Sequence, residues 1–516
     1  MPFAGKRCRS PTQGDLSPKR VPVRQKACFN RRMTHTPLNR RFLLSTAGLA
    51  LSALALPWGA RAQSQPEPGP FRFAARDGQE TDAERGFFEV PEDRRIPGSR
   101  RIRLGYVRFP STSPHPGPPI VYLAGGPGGE GSGAATGPRF PIFMALRAVA
   151  DVIAFDQRGT GLSNSIPERS ASTGPFPALT RDGMTGWYRD EMQKAWVDWT
   201  RAGIAMTGYN TEQSADDIDD LRRHLGAETI NLWGISYGTH LALSVLKRHP
   251  DRIGRVALAS LEGQDQTVKR PAHIDAFLHR VDRLIGEDPV ARAAIPNLPA
   301  VMRRVHDRLE ADPAPLTLTG EGGPVEIRVG GFGVQLLAGG LVANPRTLSM
   351  LPGLYLALDA GKTEVLADLL SDPAGLFSIR GMPEAMDLAS GISPGRLAIV
   401  EEEAKTAVLG DAFNFPMPHL SGAIPDVDLG EAFRAPIRIE TPALLVAGSL
   451  DGRTPLEEQA EVIAQFRNRT QVLVDNAGHN VFEAHAEVQA LLVRFFREEA
   501  VSDTRLSLPP PTFPVA

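Results

Sequence analysis

A serine sits at the centre of Gly234-Ile235-Ser236-Tyr237-Gly238, between an apolar run over 230–233 and a helix-like run over 239–247. Strand, sharp turn and helix with a hydroxyl at the apex is a nucleophile elbow. The apex backbone is strained, and side chains in place of the two glycines would collide with the neighbouring strand and helix. The hydroxyl is thereby lifted clear of the sheet edge, and the N–H groups that open the helix face developing negative charge. A chain with 50 glycines can produce this pattern by chance, so the reading depends on a base and an acid that accompany it. A protonated serine is a poor nucleophile and needs a base that takes its proton and returns it to the leaving group. Of the 11 histidines, only His479 follows a strand-like run in a Gly-His loop, Asn476-Ala477-Gly478-His479-Asn480. Asp451 closes Ser449-Leu450-Asp451 after an apolar run over 442–448. Such an aspartate fixes the imidazole tautomer and stabilises the imidazolium.

The competitors are weaker. His240 lies four residues after Ser236, on a helix that carries it away from the apex. His485 falls inside the last helix-like run, 484–496. Asp475 is too near His479 along the strand end to serve as its acid. A second glycine cluster, Ala124-Gly125-Gly126-Pro127-Gly128-Gly129, follows the apolar run 119–123. It lacks the Lys-Ser/Thr of a phosphate loop and the spacing of a dinucleotide site. It reads instead as an oxyanion loop, where glycines let backbone N–H groups approach a substrate carbonyl. With the N–H of Tyr237 it would bind the oxyanion, and losing one such donor typically costs about 3 kcal/mol of transition-state stabilisation.

The elements around these residues form an α/β pattern. Strand-like runs over 119–123, 151–155, 230–233, 255–259, 442–448 and 471–474 alternate with helical ones. Ser236, Asp451 and His479 each follow such a strand, at the sheet edge where α/β proteins build their sites. The order Ser, Asp, His along the chain is that of the α/β-hydrolase fold. Edge strands are expected over 87–90 and 102–109. A helix is expected over 184–204 with Trp187, Trp196 and Trp199 on one face, and another over 214–225 capped by Ser214. Its aspartates 216, 217, 219 and 220 read as a solvated helix start rather than a metal site. Asp156 and Arg158, in Asp156-Gln157-Arg158-Gly159, are expected to pair and stiffen a loop. Between 264 and 437 strand signals become scarce and helices dominate, with a possible hairpin over 316–329; no period recurs, so this is an inserted helical cap rather than a repeat array. The expected organisation is a leader over 1–62, a core over 63–263, the cap over 264–437, the second part of the core over 438–500 and a loose, Pro-rich tail over 501–516.

Charge and composition narrow the class. Residues 1–62 hold 12 Lys and Arg and a single acidic residue, leaving 45 basic against 58 acidic residues in the rest. An acidic body argues against nucleic acid as a partner. Both cysteines, Cys8 and Cys28, lie in the basic leader, so the remainder has no thiol or disulfide chemistry. Arg40-Arg41 before an apolar run from Phe42 to about Trp58, then Ala60-Arg61-Ala62, has the form of a twin-arginine export signal cut after Ala62. The run is short for a membrane span. No stable span is therefore expected after cleavage, and the protein would be periplasmic or secreted. Residues 1–32 lack apolar periodicity, and a start at Met33 would give a signal of ordinary length.

Together, Gly125-Gly126-Pro127-Gly128, Asp156-Gln157-Arg158-Gly159-x-Gly161-x-Ser163, Gly234-x-Ser236-Tyr237-Gly238-Thr239, Gly448-x-x-Asp451 and Gly478-His479 resemble the proline iminopeptidase and tripeptidyl-aminopeptidase branch of the α/β-hydrolases. The resemblance implies an α/β-hydrolase fold with a mostly parallel sheet and a helical cap. It also implies Ser236, His479 and Asp451 as the triad, and Gly126 beside Tyr237 as the second oxyanion donor. Ala124 departs from the family, which usually has histidine there. The segment Leu397-Ala398-Ile399-Val400-Glu401-Glu402-Glu403 resembles the cap motif of these enzymes without its cysteine. Cap carboxylates of the family hold the substrate's amino terminus, and Glu403 is the implied counterpart; a solvated acidic helix is its plain alternative. The implied activity is aminopeptidase-like, on short peptides small enough to pass beneath a cap. An esterase or amidase for small acyl substrates would use the same triad, and a non-catalytic binding protein could keep the same fold. Neither metal nor organic cofactor is required by this chemistry.

Overall fold

Short, largely apolar runs become strands buried on both faces because helices cover both sides of the sheet they build. The computed structural model describes residues 66–170, 176–320, 323–370 and 373–515. The leader, with its arginine pair, Cys8, Cys28 and Met33, lies outside the described residues. Ten strands form one sheet: β1 (Gly69–Ala74), β2 (Glu80–Pro91), β3 (Arg101–Phe109), β4 (Ile120–Leu123), β5 (Val152–Phe155), β6 (Ile230–Ile235), β7 (Ile253–Ala259), β8 (Ala443–Gly448), β9 (Arg469–Asp475) and β10 (Thr504–Ser507), in the spatial order β1-β2-β3-β5-β4-β6-β7-β8-β9-β10. The pairs β1–β2, β2–β3 and β3–β5 are antiparallel, and the remaining pairs are parallel.

Alternation along each strand sorts side chains into two layers. Val121, Leu123, Ile153, Phe155, Leu232, Leu258 and Leu445 face the elbow helix (Tyr237–Arg248) and the helix Thr211–His224. Tyr122, Ala154, Trp233, Ala257, Leu444 and Val474 face Phe140–Leu146 and Ala486–Phe496 on the other side. Trp233 anchors that second layer, with Tyr122 and Phe143 at centroid distances of 4.6 and 4.8 Å.

The cap rises between β7 and β8. Its own core joins the helices Pro271–Ile285, Leu298–Ala311, Gly331–Leu341 and Leu351–Asp359 to the hairpin Ala314–Gly320 and Gly323–Val329. Sequence periodicity over 290–309 suggests one helix. Two form instead, Pro289–Ala294 and Leu298–Ala311, because Pro296 interrupts the run and Asn297 caps the second. The helix Arg181–Arg201, which precedes the nucleophile, belongs to both layers: Met184 packs in the cap cluster and Trp199 in the core cluster. Two short segments, Arg169–Ser170 and Ser378–Ile379, pair beside it. The last part of the insertion folds back onto the core. Met382 and Met386 of the helix Met382–Ser390 share a cluster with Tyr237 and Leu241 of the elbow helix.

Four further expectations change. Asn210, not Ser214, caps the helix Thr211–His224, since its side chain accepts from Gln213 N–H. Arg158 does not pair with Asp156. It is fully buried and reaches Asp217, 59 residues away, through Nε and Nη2 at 2.7 Å each. Asp217 is therefore a buried partner, also bound by Arg94, rather than part of a solvated helix start. Asp156 takes Ser132 N–H and Oγ–H and Leu162 N–H as donors, while burial pushes its carboxyl up to about 6. The C-terminal segment is not loose throughout. Residues 504–507 extend the sheet as β10, where Arg505 pairs with Asp475, and Phe513 is buried in the cap cluster. The prolines that mark the tail as irregular all follow this strand and leave its ladder donors free to pair.

Candidate active site

The elbow has the geometry its glycines permit. Ser236 stands at φ 57°, ψ −129°, between β6 and the first turn of the elbow helix. A positive φ at a side-chain-bearing residue is strain held by its surroundings. Those surroundings are tight. A Cβ on Gly238 would lie 2.1 Å from the carbonyl oxygen of Leu123, and one on Gly234 would lie 2.9 Å from that of Gly238. Ser236 N–H donates to Ala259 O on the adjoining strand at 3.1 Å.

Gly125 runs directly past the apex: a Cβ there would come within 3.0 Å of Ser236 Cβ and 3.5 Å of its Oγ. Gly126 follows at φ 127°, where a Cβ would meet Gly128 N at 2.8 Å. The N–H groups of Gly126 and Tyr237 donate to no acceptor among the described residues. The Tyr237 side chain is spent on packing, its hydroxyl lying 3.1 Å from Thr211 Oγ1 and 3.2 Å from Met386 Sδ. Gln157 Nε2 donates to Ala124 O at 3.4 Å, which braces the loop just before its double glycine.

His479 and Asp451 meet at the ends of β9 and β8. Nδ1 of His479 is 3.0 Å from both carboxylate oxygens of Asp451. Asp451 is buried, and its Oδ1 also accepts from Arg453 and Thr454 N–H at 2.9 Å while Oδ2 accepts from Thr454 Oγ1 at 2.7 Å. Burial pushes this carboxyl up, but the adjacent His479 and the Thr454 donors outweigh it and hold it below the ordinary carboxylate range. Ser260, which follows β7, donates to His479 O at 2.7 Å and so ties the histidine loop to the strand beside the elbow. A hydrogen bond from Ser236 Oγ to His479 is not formed in this structure; such bonds commonly tighten only when substrate is bound.

Family comparison agrees with this framework. The α/β-hydrolase fold family matches residues 118–293, and a family described as TAP-like protein matches residues 427–505. These spans contain Ser236 on one side of the cap and Asp451 and His479 on the other. The chain has the α/β-hydrolase fold. It is similar to the tripeptidyl aminopeptidase of Streptomyces coelicolor, 28% identical over 196 residues that make up 34% of each chain. It is similar also to the serine protease Hip1 of Mycobacterium tuberculosis, 27% identical over 194 residues, 34% of this chain and 35% of that one. The chain thus spans about a third of the length of the curated relatives it matches. Among solved structures, a proline iminopeptidase-related protein from Thermus thermophilus aligns over 80% of this chain and 96% of its own, at 17% identity and a TM-score of 0.33. An esterase from Thermogutta terrifontis aligns over 80% and 98%, at 16% identity and a TM-score of 0.34.

The remaining residues singled out in the sequence separate clearly. His240 is buried, with Nδ1 2.9 Å from Gly263 O and Nε2 3.0 Å from Ser390 Oγ, a structural link from elbow helix to cap. His485 caps the last helix instead of lying inside it. Asp475 pairs with Arg505. Glu403 is already engaged: Oε1 pairs with Arg270, and Oε2 accepts from Ala272 N–H at 3.2 Å. Arg270 precedes the helix Pro271–Ile285, so this carboxylate staples two cap helices together. His273, Glu458 and Glu461 bring ligand atoms within reach of one ion. However, Glu458 already accepts from Arg270 N–H, His273 and Arg396, and Glu461 pairs with Arg396, so the group reads as an ion network between core and cap.

A different carboxylate lies beside the elbow. The helix Met382–Ser390 crosses the site: a Cβ on Gly128 would strike Pro383 at 2.6 Å, Met386 meets Tyr237, and Ser390 meets His240. Asp387 sits on this helix, and its carboxylate accepts no hydrogen bond among the described residues. It is partly accessible, yet desolvation, with Glu262 and Glu384 nearby, pushes it up to about 8. Glu384 is committed to Gly381 N–H at 2.8 Å, and Glu262 to Lys269 at 2.8 Å. Nothing in the linear sequence signalled Asp387, because its own stretch of the cap carries no motif and only the fold brings this helix over the elbow.

Proposed function

We propose that this chain is an exported serine hydrolase that removes residues from the amino terminus of short peptides. Ser236 Oγ attacks the substrate carbonyl carbon as its proton passes to His479 Nε2. The N–H groups of Gly126 and Tyr237 take the oxyanion. The C–N bond then breaks, His479 returns the proton to the departing amine, and the acyl group stays on Ser236. Water, deprotonated by the same histidine, releases it and restores the hydroxyl. Asp451 keeps the Nδ1 proton in place throughout. The leader's export signal supports passage out of the cytoplasm, and among the described residues no helix is long and apolar enough to cross a membrane.

Asp387 is the observation that carries the peptidase reading over an esterase. A desolvated carboxylate on the helix that crosses the elbow, without a protein donor among the described residues, suits a substrate ammonium and would gain no partner from an ester's neutral acyl chain. Asp387 replaces Glu403 in this role, since Arg270 already occupies the latter.

Paired substrates test the reading: free-amine aminoacyl and tripeptidyl anilides, their N-acetylated forms, and short-chain nitrophenyl esters. Hydrolysis is expected for the free-amine anilides and is lost on acetylation. Asp387→Asn should raise KM for the free-amine substrates by about 100-fold, the worth of a charge-assisted contact. Because an empty Asp387 is charged only above about 8, inhibition by an alkylammonium ion, which stays cationic, should tighten as pH rises from about 6 to 9. Activity confined to esters would move the chain to the esterase reading.

A further inference from the structure

Arg453 stands two residues beyond the triad acid, in Asp451-Gly452-Arg453-Thr454. Its backbone is fixed from both sides. Its N–H donates to Asp451 Oδ1 at 2.9 Å, and Gly452 N–H donates to Val342 O of the cap at 3.2 Å. A Cβ on Gly452 would press into Val342 at 2.7 Å and Phe277 at 2.8 Å, so the loop is wedged against the cap and Arg453 cannot be carried elsewhere by a shift of its backbone. The side chain projects across the face of Phe413, with its guanidinium carbon 5.2 Å from the ring centroid.

Arg453 is exposed by surface area. Its guanidinium forms no hydrogen bond or ion pair among the described residues. Its surroundings desolvate it enough to lower its pKa below that of an ordinary arginine. The acids that bear on it are Glu262, Asp451 and Asp387. Glu262 is bound to Lys269, and Asp451 to His479 and Thr454. Asp387 is the free acid, yet it forms no ion pair with Arg453. Five guanidinium donors, accessible and held over Phe413 without a protein acceptor among the described residues, are open to an incoming anion. The planar fork matches one anion in particular, a carboxylate, which it can take through two parallel hydrogen bonds.

Resting on the aminopeptidase reading above, we propose that Arg453 is a specificity residue that binds a carboxylate of the substrate. A short peptide would then be held at both of its charges, its ammonium at Asp387 and a carboxylate at Arg453. The carboxylate has two possible sources: the C-terminus of a short peptide, or an aspartate or glutamate side chain. Either would make the enzyme select small, charged peptides over neutral acyl compounds.

Binding measured on the Ser236→Ala protein separates this inference from hydrolysis, because calorimetry needs no turnover. Two pairs of ligands are compared: Ala-Ala-Ala against its C-terminal amide, and Ala-Ala-Glu amide against Ala-Ala-Gln amide. The carboxylate member of one pair should bind about 30-fold more tightly. The first pair identifies a peptide C-terminus, and the second an acidic side chain. Adding Arg453→Gln should collapse that ratio to near one, and Arg453→Lys, which keeps the charge but not the fork, should restore part of it. Equal affinities within both pairs, or an equal loss for both members of a pair on substitution, would overturn the proposal. If the wild-type protein hydrolyses nothing while the carboxylate preference persists, the aminopeptidase reading fails and Arg453 keeps its role.

Discussion

Asp451→Asn should lower kcat by about 10⁴-fold while leaving KM and folding nearly unchanged. The size is that of a triad whose histidine is held in the wrong tautomer. The geometry explains why. Asp451 Oδ1 already accepts from two backbone N–H groups, those of Arg453 and Thr454, at 2.9 Å each. An asparagine would keep its carbonyl oxygen at that position and turn its NH₂ toward the place of Oδ2. There it meets Thr454 Oγ1, whose hydroxyl can rotate to accept, and His479 Nδ1. Nδ1 must then accept rather than donate, which moves the ring proton to Nε2. A histidine protonated at Nε2 cannot take the proton of Ser236. Steady-state kinetics together with a thermal melt would check this: a matching loss of activity and of melting temperature would mean that Asp451 is structural.

Ser236→Ala removes the nucleophile itself and should lower kcat by about a millionfold, the scale seen when a triad serine is lost. Folding should survive. Ser236 Oγ forms no hydrogen bond among the described residues, and the strained turn is imposed by its neighbours, with Ala259 O holding the apex N–H and the two glycines allowing close packing. Alanine bears the same backbone conformation as serine. Substrate binding should be retained, since Asp387 and the oxyanion donors are untouched. A variant that binds peptide, melts like the parent and does not turn over is the expected outcome. Substantial residual hydrolysis would point to another nucleophile.

The layout of the candidate site was legible in sequence where local backbone demands dictate residue type. A tight strand-to-helix turn needs Gly234 and Gly238, and an oxyanion loop needs Gly125 and Gly126, so these signals survive in a linear reading. Asp451 and His479 were legible because each ends an apolar strand run, and parallel strands bring such ends to one edge. The tertiary ion pairs were not. Arg158 was assigned to its near neighbour Asp156, but its partner Asp217 is on a helix brought alongside only by folding. Glu403 carried the right chemistry in the right kind of segment, yet Arg270, 133 residues away, claims it. Asp387 and Arg453 were missed for the opposite reason. Each is unremarkable in its local sequence and acquires meaning only because the insertion folds back over the elbow. The C-terminal strand β10 was hidden by the prolines that follow it, although residues 504–507 pair in register with β9.

Reaction with a fluorophosphonate, followed by peptide mapping of the adduct, tests the central claim most directly. The reagent phosphonylates a serine only where a base activates it and an oxyanion site stabilises the product. The account predicts a single stoichiometric adduct on the peptide that carries Ser236, absent after His479→Ala. No adduct on the folded protein, or an adduct on a different serine, would contradict it.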